Sequence, residues 1–145
     1  QDTARVLSGF SDIICLRHPQ SGSAAAFASS SRVPVINGGD GSNEHPSQAL
    51  LDLYTIEKEL KGRGRQLDGL RVAMIGDLKH GRTVHSLCRL LMLFRHISVE
   101  LVSPRELAMP RELVEEMRTA GIKVDESDRL EPSIAHVDIV YSTRI

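Results

Sequence analysis

The sequence predicts an α/β fold, with parallel sheets and helical crossovers arranged as two small domains. Three observations carry this. Short apolar, β-rich runs alternate with segments of helical periodicity along the chain, and strands that run parallel need such crossovers between them. The stretch 61–69 (KGRGRQLDG) is polar, Gly-rich and free of apolar periodicity, as an interdomain boundary should be. Polar residues directly follow the predicted strands, where open parallel sheets bind their ligands.

In order, residues 2–10 read as an amphipathic helix. Residues 12–16 (DIICL) are apolar and β-rich, so they are expected to form a buried strand. Residues 21–31 are small and Ala/Ser-rich, and 24–30 suit the short helix that a crossover requires. Residues 33–37 (VPVIN) are a second buried-strand signal. Gly38, Gly39 and Gly41 then read as a turn that a ligand can approach closely. Pro46 suits the first position of a helix, which puts His45 at the N-cap and Gln48 in the first turn. Across 46–61, Ala49, Leu53, Ile56 and Leu60 recur at helical spacing, with Leu50 and Tyr54 widening the stripe. Gly62 can end that helix.

The second half repeats the alternation. Residues 70–76 (LRVAMIG) are a buried strand, 77–81 a turn and 83–94 a helix with Val84, Leu87, Leu91 and Phe94 on one face. Residues 98–102 are a strand stopped by Ser103-Pro104. Residues 110–120 are a helix with Leu113, Val114 and Met117 inward, followed by a short strand at 122–124. One helical turn at 131–136 and a last strand at 138–142 complete the pattern. The expected organisation is therefore domain 1–61, linker 62–69 and domain 70–145.

Composition narrows the function classes. The 145 residues are 41% hydrophobic, enough for a core, yet 3% aromatic with no Trp, so that core must be aliphatic. Eighteen basic and 19 acidic residues leave a net charge of −1, which gives no support to a nucleic-acid or membrane-surface role. The longest apolar runs are too short to span a bilayer, and no signal-peptide pattern opens the sequence. Gln1 is not a Met and no helix start signal precedes the first helix, so the chain reads as a piece of something longer. Cys15 and Cys88 lie in apolar segments without metal-ligand spacing. They read as reduced, buried thiols of a cytoplasmic protein, with a disulfide as the minor alternative.

The strand-end rule selects four residues: Arg17 after 12–16, His45 in the loop after 33–37, Arg82 after 70–76 and Arg144 after 138–142. Each has a bland alternative. Arg17 could be a surface arginine, Arg82 could cap a turn or pair with Asp77, and Arg144 could be an ordinary terminal residue. A cleft between two such edges would present three guanidinium groups and an imidazole, with Gln48 beside His45 at a positive helix end. Guanidinium groups bind carboxylate and phosphate through paired, charge-assisted bonds, and a helix N-terminus favours anions. The ligand implied is an anion, or two bound side by side. Other signals are poorer. Residues 76–83 (GDLKHGRT) lack both the P-loop and the dinucleotide fingerprint. His80 and His85, five apart, do not form a helical metal pair.

Arg17-His18-Pro19, the stretches GDGSNEHPSQALLD and GDLKHGRTVHSL, and the closing STRI come in the order and nearly the spacing of the aspartate carbamoyltransferase catalytic chain, which this sequence resembles throughout. The HPxQ element is shared with ornithine carbamoyltransferases, whereas GDLKHGRTVHS is specific to the aspartate enzymes. The resemblance implies two α/β domains of the aspartate/ornithine carbamoyltransferase type, incomplete at both ends. It implies transfer of a carbamoyl group from carbamoyl phosphate to L-aspartate in pyrimidine biosynthesis, without metal or cofactor. Arg17, His45 and Gln48 would bind carbamoyl phosphate, with Arg17 and His45 polarising its carbonyl. Arg82 and Arg144 would hold the two carboxylates of aspartate. The family assembles as homotrimers of catalytic chains, to which regulatory chains or fused pathway domains can be added.

There are departures. Ser47 stands where Thr is usual and Gly38 where Ala is common, and the 61–69 loop is slightly long. The family's Ser-Thr-Arg-Thr phosphate loop and the Lys lent to a neighbouring subunit would precede Gln1. Its His-Pro-Leu-Pro loop and final helix would follow Ile145. The sequence thus looks like the central part of a catalytic chain, expected to be inactive alone. The alternatives are another carbamoyltransferase, such as the ornithine type, or a non-catalytic relative with a structural role. The pair Arg82 and Arg144 argues against a cationic amine.

Overall fold

A computed structural model describes residues 2–41 and 43–144. Ser42 of the Gly-rich stretch and Ile145 of the closing STRI lie outside the described residues. The chain forms two compact units, Gln1–Gln48 and Ala49–Ile145.

The first unit holds α1 (Asp2–Leu7), β1 (Ile14–His18), α2 (Ser23–Ala28) and β2 (Val35–Asp40). β1 and β2 pair in parallel, Ile14 opposite Val35 and Leu16 opposite Asn37, with α2 as the crossover. These strands were expected to be buried on both faces, and they are not. Ile14, Leu16 and Val35 are half-buried while Cys15, Arg17 and Ile36 between them are exposed. With α2 packed on a two-stranded sheet, alternate side chains point away from it. Cys15 is therefore an exposed thiol. Cys88 is buried as expected, and desolvation pushes its thiol up to about 12.

β2 also continues through the glycines read as a turn. Leu16 faces Asn37 but His18 faces Asp40, so Gly38 and Gly39 together oppose Arg17 in a bulge. Asp40 ends the strand as a hub and is 2% exposed. Its carboxylate accepts hydrogen bonds from Gly22 N (2.8 Å), Asn37 Nδ2 (3.1 Å), Glu44 N (3.2 Å) and Asn43 Nδ2 (3.3 Å). Burial alone would raise its pKa, but these donors outweigh burial and leave it below the ordinary carboxylate value.

α3 (Pro46–Gly62) begins at the end of the first unit and runs on into the second. Ala49, Ile56 and Leu60 are buried and Leu53 packs against the core. Leu50 and Tyr54 do not widen this stripe; they are 59% and 63% exposed. Each lies about 100° around the helix from the inward row. The helix ends at Gly62 as expected, and Gly64 closes it two residues on. Gly64, at φ +68, donates to Lys61 O while Arg65 N returns to Leu60 O, which is a Schellman end.

Next come β3 (Arg71–Ile75), α4 (Arg82–Leu91), β4 (Ser98–Val102), a 3-10 turn (Arg105–Leu107), α5 (Arg111–Thr119), β5 (Lys123–Ser127), α6 (Leu130–Ile134) and β6 (Ile139–Ser142). All four strands are parallel, in the order β5-β4-β3-β6. The core is aliphatic as composition required: Leu70, Met74, Leu78, Leu87, Leu91, Ile97 and Met117 are fully buried. The chain winds outward from β3 to β4 and β5, then returns to the far side of β3. The order thus reverses between β3 and β6, at the point where such sheets form a ligand crevice.

β6 is clamped at its amino end. Asp138, with its side chain 4% exposed, accepts from Arg65 Nη1 (2.8 Å), Arg71 Nη2 (2.9 Å) and Arg71 N (3.0 Å), and its own N–H donates to Arg71 O at 2.8 Å. The hydrogen bonds from Arg65 and Arg71 hold its carboxyl far below the ordinary range.

Asp138→Ala should lower stability by about 1–3 kcal/mol in urea unfolding, because the arginines left behind are half-exposed and rehydrate. Asp40→Asn should cost about as much at neutral pH, since it turns an amide N–H toward donors. The folded pKa of Asp40 lies below its unfolded value. Its contribution is therefore present above about pH 4 and is lost as pH falls through the folded pKa. The gap between wild-type and Asn unfolding midpoints should be widest near neutrality and close in acid.

Candidate functional site

In the first unit, the loops beyond β1 and β2 are fastened together. Gly41 N donates to His18 O at 2.8 Å. At Gly41, φ is +58 and an added Cβ would lie 2.7 Å from Pro19 O, so glycine is required there. Asp40 reaches across to Gly22 on one side and to Glu44, next to His45, on the other. Arg17 was expected just after its strand. It lies within β1, opposite the bulge, because the strand extends to His18. It is exposed, and bulges of this kind re-aim the side chains beside them.

His45 caps α3 as expected. Its Nδ1 accepts from Gln48 N at 3.4 Å and lies 3.3 Å from Ser47 Oγ, while its carbonyl accepts from Gln48 N at 3.1 Å. An Nδ1 that accepts a backbone N–H puts the proton of a neutral imidazole on Nε2. Gln48 is half-buried in the first turn.

In the second unit, the ends of β3 and β6 are latched by backbone bonds. Thr143 N donates to Ile75 O (2.8 Å) and Asp77 N to Arg144 O (3.2 Å). Gly76 permits this approach: φ is +116, and a Cβ would sit 2.8 Å from Thr143 O. Arg144 therefore stands at the same crevice as the turn that leads to Arg82. Arg82 is the first residue of α4, and its N–H donates to His80 O at 2.9 Å. Asp77 Oδ1 accepts from His80 N (3.0 Å) and Lys79 N (3.1 Å), and His80 Nδ1 lies 3.1 Å from Oδ2. The His80 backbone bond is the main cause of its lowered pKa, against the opposing effect of burial.

Further residues support these positions through contacts that the sequence does not display. His85 is buried on the inner face of α4, its Nε2 2.7 Å from Leu78 O. Tyr141 Oη donates to Asp52 Oδ2 at 2.8 Å, tying α3 to β6. Burial first, and the neighbouring Asp52 second, raise the phenol's pKa over the opposing bond to Thr83. For Asp40, a glycine on each side at a strand end was the available signal. For His85 it was a place among Val84, Leu87 and Cys88 on an apolar face. Asp138 and Asp52 gave none, since their partners are far away in sequence.

These residue types are ones that can bind anions: an imidazole and a carboxamide at a helix start in one unit, and in the other two arginines whose backbones lie at strand ends beside a strand-order reversal. Among the described residues, no three His, Cys, Asp or Glu side chains gather as a metal would need, and no helix is long and apolar enough to cross a membrane.

Comparison with known proteins bears on the family and the fold. Residues 1–58 match the family model of the aspartate/ornithine carbamoyltransferase carbamoyl-P binding domain, and residues 68–145 that of the Asp/Orn binding domain. The chain is 74% identical over 144 residues to the aspartate carbamoyltransferase catalytic subunit of Saccharophagus degradans, covering 99% of this chain and 43% of that protein. It therefore spans less than half the length of that relative. Among solved structures, it superposes on the catalytic subunit of M. jannaschii aspartate transcarbamoylase with a TM-score of 0.87 and 49% identity, covering 99% of this chain and 46% of that one. Aspartate transcarbamoylase from Trypanosoma cruzi, in complex with carbamoyl phosphate and aspartate, gives 0.88 at 39% identity, covering 99% and 46%. With two parallel α/β units, arginines at the strand-order reversal and both family models matched, the chain belongs to the aspartate/ornithine carbamoyltransferase family.

Proposed function

We propose that the complete polypeptide transfers the carbamoyl group of carbamoyl phosphate to the α-amine of L-aspartate, giving N-carbamoyl-L-aspartate and phosphate. The observation that carries this reading is the latch at the strand-order reversal, where a backbone bond from Asp77 N to Arg144 O joins Arg144 to the turn before Arg82. Two arginines there suit a dicarboxylate better than a cationic amine such as ornithine. The high identity to an aspartate carbamoyltransferase catalytic subunit and a relative crystallised with both substrates support the same choice.

In this reading Arg17, His45 and Gln48 hold carbamoyl phosphate. The Nε2–H of His45 and the Arg17 guanidinium donate to the carbonyl oxygen, whose negative charge grows as the amine attacks. Gln48 meets the carbamoyl end. Arg82 and Arg144 grip the two carboxylates of aspartate and leave the amine as the nucleophile. The new C–N bond makes the carbonyl carbon tetrahedral, the amine's proton passes to the phosphate group, and the carbon–oxygen bond to phosphate breaks to release it. Catalysis is positioning plus oxyanion stabilisation. We assign the carbamoyl-phosphate domain to residues 1–61, the linker to 62–69 and the aspartate domain to 70–145. The working form is a cytoplasmic homotrimer of catalytic chains in pyrimidine biosynthesis.

The test is an assay of the full-length chain with aspartate and ornithine side by side. Carbamoyl-aspartate should form, and citrulline formation in its place would overturn the assignment. Arg82→Ala should raise the KM for aspartate at least about thirtyfold, from the loss of roughly 2 kcal/mol of a charge-assisted pair. Carbamoyl phosphate binding should change less than about twofold, being assigned to other residues. Equal loss of both substrates would contradict the role given to Arg82.

A further inference from the structure

His85 is a buried imidazole, 8% exposed, with no place in the reaction above. Its Nε2 lies 2.7 Å from the carbonyl oxygen of Leu78. A carbonyl only accepts, so Nε2 carries the proton and donates. Side chains on a helix lean toward its N-terminus. His85 stands three residues after Arg82 on α4, so its ring reaches back past the first turn to the loop that leaves β3.

Leu78 is a fixed anchor. Its side chain is fully buried, and its N–H is bonded to Leu107 O at 3.0 Å and Gly76 O at 3.1 Å. The same loop carries the Asp77 turn and its contact with Arg144. The imidazole thus fastens the start of α4 to a rigid point of the strand-end loop. Arg82, as the first residue of α4, has its backbone direction set by that bond and by the bond from its N–H to His80 O.

We infer that His85 is a positioning residue for Arg82: its Nε2–H bond to Leu78 O sets the direction from which the guanidinium meets a substrate carboxylate. This rests on the aspartate-binding role proposed above for Arg82. The functional part of the claim is geometric, because a donor misplaced by about an ångström loses much of its effect.

The test compares His85→Gln, His85→Asn and His85→Ala in the full-length chain. A glutamine amide nitrogen reaches about where Nε2 stood, whereas that of asparagine falls near Nδ1. Ala and Asn should raise the KM for aspartate about tenfold or more, leave that for carbamoyl phosphate within about twofold, and Gln should restore most of the loss. An unchanged aspartate KM in Ala, a Gln variant no better than Asn, or a parallel rise in both KM values would overturn the inference. Nitrogen NMR of the wild-type ring gives a readout independent of activity: Nε2 must be protonated, and a proton on Nδ1 alone would overturn the geometry. If the wild type makes no carbamoyl-aspartate, the proposed reaction fails by itself. The positioning claim is then decided by amide exchange at Arg82, which must quicken in Ala and Asn but not in Gln.

Discussion

The pairing of β6 with β3 is the constraint on which the arginine-bearing unit depends. β6 returns from the far end of the sheet with Ile139 and Tyr141 packed on the core and Val140 and Ser142 exposed, so burial sets which residues turn inward. Asp138 anchors that register at the amino end. Its carboxylate takes hydrogen bonds from two guanidinium groups and a backbone N–H of β3. The chain then runs in step, Val72 opposite Ile139 through Ile75 opposite Ser142. A slip of one residue would move Arg144 away from Asp77 and turn Tyr141 away from Asp52. Electrostatics at one end of a strand thus sets the geometry of the crevice at the other.

The first unit solves a similar problem with a single buried carboxylate. Among the described residues, the hydrogen bonds to the Asp40 carboxylate come from amide N–H groups and not from a cation. Four donors from different parts of the loop overcome the penalty of burying a charge. They hold the segments beyond β1 and β2 in one arrangement. Rigidity here suits anion binding, because donors already in place cost little reorganisation when charge arrives.

Much of this was legible in the amino-acid order. Apolar runs marked the strands and helical periodicity the longer helices, though not the 3-10 turn Arg105–Leu107, and the scarcity of aromatics foretold a core of Leu, Val, Ile and Met. Pro46 located the start of α3 and thereby the capping place of His45. Where the reading failed, the cause was a neighbour. DIICL looks buried on both faces, yet Cys15 is exposed because exposure depends on what packs on a sheet. Gly38 and Gly39 look like a turn, yet pairing with β1 draws them into a bulged strand. Leu50 and Tyr54 look like core, yet the core takes in the row one residue away.

The sequence alone determined the α/β class, the strand ends and the residue types placed there, since local periodicity and turn chemistry act within a few residues. The tertiary structure decided how those ends are held. Strand order, the reversal between β3 and β6, the Asp138 clamp and the bond from His85 to Leu78 all join groups through space. Such contacts depend on packing and register, which no single stretch of the chain encodes.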